Sequence, residues 1–357
     1  MTSVSGASGS LMACSHSDFD PASRFRVLQY LPRLEAAGWR VSHRPNRPWR
    51  HWRTGVRVWP LGGLIQRGGD ALKRLSRWRD VLDSGGFDVV FVNRDLLGID
   101  LVYEKALLAR NPRVLFDFDD MIWLGARHAH VAWMCRHAAW VTAGNATLAG
   151  FARQYTSSVT LLPTVVDVST YPPAVPGASS VPVRLGWLGS GFSIDQTLVP
   201  HLPMFAYLQR RLDFELVIVS APRPRIDQPG LRWRWIPWSP RTETRIGELF
   251  DIGIMPLVDT PFQRGKCGTK LLQYMAAALP AIASPVGMNR EIIGRSGAGM
   301  LAATTDEWRD AIMQLGDPAM RERLGLAGRA YCTEHYHLDR WTSVMLELLQ
   351  RVADHRR

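Results

Sequence analysis

The chain has 357 residues, with 43 lysines and arginines against 32 aspartates and glutamates and a formal net charge of +11. At roughly 100 to 200 residues per domain, that length argues for two domains. With 46% hydrophobic and 21% charged residues, disordered and fibrous classes are excluded. Cys14, Cys135, Cys267 and Cys332 stand far apart with no CxxC pair, which fits a reducing compartment rather than a disulfide scaffold. Met1 to Ser10 lacks the apolar core of a secretory signal, and the apolar stretch Leu271 to Val286 is broken by Gln273, Tyr274 and Pro280. The expectation is a cytoplasmic protein, with peripheral attachment to the inner face of a membrane left open.

In chain order, the first half offers a weakly marked strand at Leu11 to Ser15, a helical pattern near Ser23 to Gly38, and a strand at Asp88 to Asn93. A helical stretch at Leu97 to Ala109 and strands at Arg113 to Phe118, Trp140 to Ala143 and Val159 to Pro163 follow, with a helix near Thr147 to Tyr155. Asn145 or Thr147 suits the cap of that helix. Short Val, Ile and Phe runs alternating with helical patterns predict α/β architecture with parallel sheets.

From Tyr171 to Pro182 the chain reads YPPAVPGASSVP, with Pro172, Pro173, Pro176 and Pro182 and no helical or strand period. It reads as a linker at 172–182 between a first domain, 1–171, and a second, 183–337. The second series has strands at Val183 to Leu188, Phe214 to Ser220, Trp233 to Trp238, Ile252 to Pro256 and Ala281 to Pro285. Helices are expected near Ile194 to Arg211, Thr242 to Phe250 and Thr269 to Ala278, then at Asp306 to Leu315 and Ala319 to His335, the latter started by Asp317-Pro318. A last helix, within 338–357, could pack back on the first domain. Two such domains would face a cleft.

The positive charge is concentrated. Residues 40 to 79 carry eleven basic side chains against one acid, Asp70, so that +10 of the +11 lies there, interleaved with Trp49, Trp52, Trp59 and Trp78. Arginine mixed with indole suits an anionic membrane surface. A solvated face is the plainer alternative, and nucleic acid is not expected, because no recognition helix, zinc finger or ribonucleoprotein signature accompanies the patch.

The segment Phe250 to Val286 concentrates chemistry: a buried strand, a polar loop with Arg264 and Lys266, then an apolar helix. The unpaired N–H groups and dipole of a helix start let Cys267, Gly268 and Thr269 cradle a phosphate, with Lys266 and Lys270 adding full charge. A solvated loop with incidental lysines is the alternative. Gly189, Ser190 and Gly191 form a second glycine-rich turn through which backbone can approach a phosphate. In FDFDD, Asp117, Asp119 and Asp120 fall at a strand's carboxyl end, where Asp119 or Asp120 could take a proton from an acceptor hydroxyl, or simply cap a helix.

The run KCGTKLLQYMAAALPAIASPVGMNREII resembles the donor-binding region of family 4 (group 1) glycosyltransferases of the GT-B fold. DPASRFRVLQYLPRLEAAGW, RVLFDFDDMIWL, VTAGNATLAGFA, LLPTVVDVSTY and RLGWLGS agree with it, so the resemblance runs from Asp18 onward. It implies two Rossmann-like domains and a retaining transferase, without a metal ion or other cofactor, acting on a nucleotide-diphosphate sugar and a glycan or lipid-linked acceptor. On that resemblance Lys266 and Lys270 neutralise the donor diphosphate, Gly268 and Thr269 supply amides, and Arg24 or Arg26 borders the phosphates. Gln273 stands where the family has the second glutamate of a pair, normally a ribose ligand, and Gly265 stands where it has the first. Glu291 matches an acidic position near the donor, and His128 or His130 a sugar-contacting histidine. The missing carboxylates leave a catalytically silent nucleotide-sugar-binding or scaffold protein as the other reading.

Overall fold

A computed structural model of the chain describes residues 9–47, 62–98, 100–175 and 181–355. The chain divides into two compact units: unit 1 is Met1–Thr164 with Leu338–Arg357, and unit 2 is Val165–His337.

Unit 1 holds a six-stranded parallel sheet of β1 (Ser10–Ser17), β2 (Arg40–Arg47), β3 (Val89–Asn93), β4 (Val114–Phe118), β5 (Trp140–Ala143) and β6 (Val159–Leu161), in the order β2-β1-β3-β4-β5-β6. VVFVN and VLFDF are buried along their whole length, which is why they read as unbroken apolar runs rather than alternating ones. The edge strand β2, RVSHRPNR, has no such run, because an edge strand is covered less completely and carries charge. The pattern near Ser23 to Gly38 is interrupted: Pro21–Ser23 is helical, Arg24–Leu28 forms a π-turn, and Leu31–Ala36 resumes the helix. Asn145 caps the Ala146–Ala152 helix by accepting from the Leu148 N–H.

The Leu338–Ala353 helix packs on unit 1 against the Leu31–Ala36 helix and strands β3 and β4. Asp339 pairs with Arg33 at 2.5 Å, and the Arg351 guanidinium lies 4.9 Å from the Trp140 ring centre. Met345 closes a small apolar hollow lined by Leu11, Tyr30 and Leu34.

Unit 2 holds β7 (Val183–Ser190), β8 (Phe214–Ala221), β9 (Trp233–Pro237), β10 (Ile252–Met255), β11 (Ala281–Ala283) and β12 (Gly299–Leu301), parallel in the order β12-β11-β10-β7-β8-β9. Its core gathers Trp187, Phe205, Phe214, Ile254, Ile282 and Trp308. Asp317 caps the Pro318–His335 helix, with Pro318 in its first turn. The division between the units corrects the linker expected at 172–182. Unit 2 already begins at Val165, Tyr171 is buried, and the Ala174 N–H donates to the Ala277 carbonyl. The prolines suppress regular structure there without keeping the chain out of the packing. Residues 176–180 lie outside the described residues.

Candidate active site

In unit 2 the strand order reverses between β7 and β10: β8 and β9 continue to one side, β11 and β12 to the other. Ligands of open α/β sheets bind outside the carboxyl ends of strands at such a switch point. Tyr274, on the Thr269–Ala276 helix, fastens this point, since its hydroxyl donates to the Ile254 carbonyl at 3.1 Å and accepts from the Leu188 N–H at 3.2 Å. Burial raises the Tyr274 pKa, so the phenol stays protonated.

The loop after β10 is built from local rules. Thr260 caps the short Pro261–Arg264 turn, and Arg264 forms a two-bonded pair with Asp259. Gly268 then begins the Thr269–Ala276 helix with φ 71°, and a Cβ there would stand 2.4 Å from the Ile292 side chain. Only glycine suits both constraints. Gly287, with φ 52°, lets the start of the Met288–Ser296 helix come against the Arg264 carbonyl. Asn289 and Ser284 stitch the same region, donating to the Met255 carbonyl and accepting from the Leu257 N–H respectively.

Lys266 and Lys270 are half-buried here. The Lys266 ammonium lies 4.8 Å from the Phe262 ring centre, and the Lys270 ammonium 5.1 Å from that of Trp187. Among the described residues no carboxylate pairs with Lys266. Gly189 and Ser190 end β7 beside Trp187, with Ser190 capping the following turn of helix through the Ser193 N–H. The structure therefore brings Lys266, Gly268, Thr269, Lys270, Gly189 and Ser190 to the carboxyl ends of β7 and β10, a set of backbone N–H groups and cations suited to a phosphate.

Other expected residues stand differently. Gln273 is buried, and its amide donates to the Tyr171 hydroxyl at 3.1 Å. Glu291 is exposed and pairs with Arg295 one turn along its helix at 3.2 Å. Arg26, considered beside Arg24 as a phosphate ligand, is corrected to a core residue. It donates to Asp117 through two nitrogens and to the Leu162 carbonyl, and Asp117 also accepts from Asn93 and Thr142. A buried charge must be compensated, and this network does so.

Arg24 is half-buried in unit 1, its guanidinium 5.0 Å from the Phe25 ring centre. Asp119 and Asp120 lie after β4, both held by Arg94 at 2.7 Å. Burial pushes the Asp119 carboxyl above the usual range, with Arg94 opposing. His128 is exposed and packs edge-on against Phe151 and Tyr155, whereas His130 is buried 3.6 Å from Glu104.

Two side chains escaped the sequence reading. The Trp187 indole N–H and the Gln263 amide oxygen are buried beside this loop with no hydrogen-bond partner among the described residues. Their signals were a tryptophan two residues before a glycine and a glutamine just ahead of the loop, neither distinctive by itself.

A family model described as glycosyl transferases group 1 matches residues 197–317, which contain this loop. Among solved structures, the chain is similar to a sucrose-phosphate synthase from Thermosynechococcus elongatus, with 16% identity, a TM-score of 0.68, and 96% of this chain and 99% of that one covered. Anabaena Alr3699/HepE in complex with UDP-glucose gives 14% identity and a TM-score of 0.66 over 96% and 99%. The lipopolysaccharide outer core galactosyltransferase WaaB, in its apo form, gives 11% and 0.62 over 96% and 99%. No curated protein sequence matches the chain.

Proposed function

We propose that this chain, a group 1 glycosyltransferase of the GT-B fold, takes a sugar from a nucleotide-diphosphate donor bound at the Lys266–Lys270 loop of unit 2. The observation that carries this reading is the pair of lysines at a glycine-started helix, on the carboxyl side of the sheet's switch point. As the bond from the anomeric carbon to the diphosphate breaks, negative charge builds on the leaving oxygens. Lys266, Lys270 and the backbone N–H groups near Thr269 are placed to stabilise it. The UDP-glucose complex of the Anabaena relative supports a donor of this class. Transfer retains the anomeric configuration, needs no metal ion or other cofactor, and delivers the sugar to a glycan or lipid-linked acceptor of the cell envelope at the inner face of a membrane; the galactosyltransferase relative supports that acceptor class.

A thermal-shift screen with UDP-, GDP- and ADP-sugars tests the donor, because a ligand bound only by the folded chain raises its melting temperature. Wild type is expected to respond to one of them, and Lys266→Ala and Lys270→Ala to lose the response. Donor affinity and transfer unchanged in both variants would remove the phosphate site. The configuration of the product, and transfer in the presence of a chelator, check the remaining terms.

A specific observation favours a second reading, a catalytically silent donor-binding protein. Neither Gly265 nor Gln273 brings a carboxylate, and the Gln273 amide is engaged with Tyr171. Transfer of sugar by the purified chain would dismiss it, whereas a donor-induced shift without transfer would favour it.

A further inference from the structure

Over residues 71–83, the Gly62–Asp83 helix of unit 1 is arranged unlike a helix surrounded by water. Beside Val81, its inward side carries ions: Arg77 is 1% exposed and Asp80 4% exposed. Arg77 donates to Asp80 and to the carbonyls of Ser15, Arg44 and Leu96, while Arg44 reaches Asp80 and Asp83. Its outward side carries Leu72, Leu75 and Leu82, which are 65%, 66% and 60% exposed, and Trp78, 41% exposed with its ring tilted on Tyr103. At 3.6 residues per turn these four share about a third of the helix circumference, opposite Arg77, and extend over about 15 Å. A helix packed on a water-soluble core shows the reverse distribution. One exposed leucine needs no explanation, but four large apolar side chains gathered on one outward helix face mark an interaction surface.

We propose that this stripe docks the protein on an anionic lipid bilayer, with Leu72, Leu75, Trp78 and Leu82 entering the boundary between headgroups and acyl chains. The charge around the stripe selects the occupant. Arg74 is exposed beyond Trp78 at one edge, and Arg79 is exposed within the stripe, one turn after Leu75, where long cationic side chains reach lipid phosphates. A second copy docked face to face would set the exposed Arg74 and Arg79 of one against like charge on the other. Among the described residues no helix is long and apolar enough to cross a membrane, and the mode is therefore attachment in the interfacial plane. The assignment rests on the peripheral-membrane part of the proposed function and is independent of the donor site.

Cosedimentation of the full chain with vesicles of equimolar phosphatidylglycerol and phosphatidylcholine, against phosphatidylcholine alone, tests it at near-physiological salt. Wild type is expected to bind the anionic vesicles selectively. The triple variant Leu72→Ser, Leu75→Ser, Leu82→Ser should bind about 100-fold more weakly, and Arg74→Glu with Arg79→Glu at least about tenfold more weakly. Because these side chains point outward, both variants should keep the wild-type melting temperature, which separates loss of docking from loss of folding. Selective binding that survives the leucine substitutions would overturn this face as the docking surface while leaving peripheral attachment standing. Wild type that ignores the vesicles would overturn both, and a dimer broken by the leucine variant would assign the stripe to a second copy.

Discussion

At the carboxyl end of β4 in unit 1, three aspartates meet two arginines: Asp117 is locked by Arg26, and Asp119 and Asp120 by Arg94. Beyond the carboxyl end of β10 in unit 2, the cations Lys266 and Lys270 lie over the rings of Phe262 and Trp187. The first arrangement gives every carboxylate an arginine partner within unit 1 and serves the fold. The second holds Lys266 with no paired carboxylate among the described residues, beside Lys270, a helix start and a glycine turn, which is what a diphosphate site requires. Charge density alone does not distinguish a structural cluster from a binding one. Compensation does.

The contrast can be broken most forcefully at Asp117. Replacing it with alanine leaves Arg26 as a buried cation without its carboxylate, which should cost about 3–5 kcal/mol in urea unfolding. A loss below 1 kcal/mol would show that the network is not the internal support described. Next comes Lys266→Ala, where the contrast predicts the opposite split. Stability should stay within about 0.5 kcal/mol, while kcat/KM falls about 10²- to 10³-fold, as for removal of one donor to developing charge. Tyr274→Phe removes the hydroxyl that joins Leu188 and Ile254 and should cost about 1–3 kcal/mol by leaving a buried N–H unpaired. Chemical denaturation reads that loss, and a weaker donor-induced thermal shift would tie the bridge to the site.

The smallest effect is a pH dependence at Asp119. Its folded pKa lies above the ordinary 3.8 because burial disfavours the charged form. The folded state therefore holds the proton more tightly, so this contribution to stability is present below 3.8 and is lost as pH rises through the folded value. Asp119→Asn removes that loss. The stability of the variant relative to wild type should rise with pH above 3.8, measured by denaturation from acid to neutral pH. A flat difference would mean that Arg94 compensates the carboxylate fully.

Much of the architecture was legible because buried parallel strands need unbroken apolar runs: DVVFVN, RVLFDF and FELVIVS announce themselves. β2 was not legible, since RVSHRPNR is an edge strand whose charged and proline residues hide its pairing with β1. The Gly62–Asp83 helix was hidden for a related reason, as over residues 71–83 its leucines and Trp78 face outward while Arg77 and Asp80 are buried beside Val81. At the site, Lys266, Gly268, Thr269 and Lys270 could be read in order because a phosphate cradle at a helix start is local in sequence. Trp187 and Tyr171 could not, since each reaches the site region from a distant part of unit 2. Of the basic stretch, Arg50, Arg53, Arg57, Trp49, Trp52 and Trp59 lie outside the described residues, and Arg77 proved to be a core residue rather than part of a docking face.

The sequence by itself determined the α/β class, the order of most strands along the chain and the identity of the cationic loop, because these depend on spacing within a dozen residues. Tertiary structure alone decided which charges are consumed. Arg26, Arg77 and Asp117 look as available as Lys266 in the linear chain, and only burial against partners as distant as 91 residues, for Arg26 with Asp117, turns them into scaffold. The physical reason is that a charge reports its function through what neutralises it, and neutralisation is a matter of contact in space.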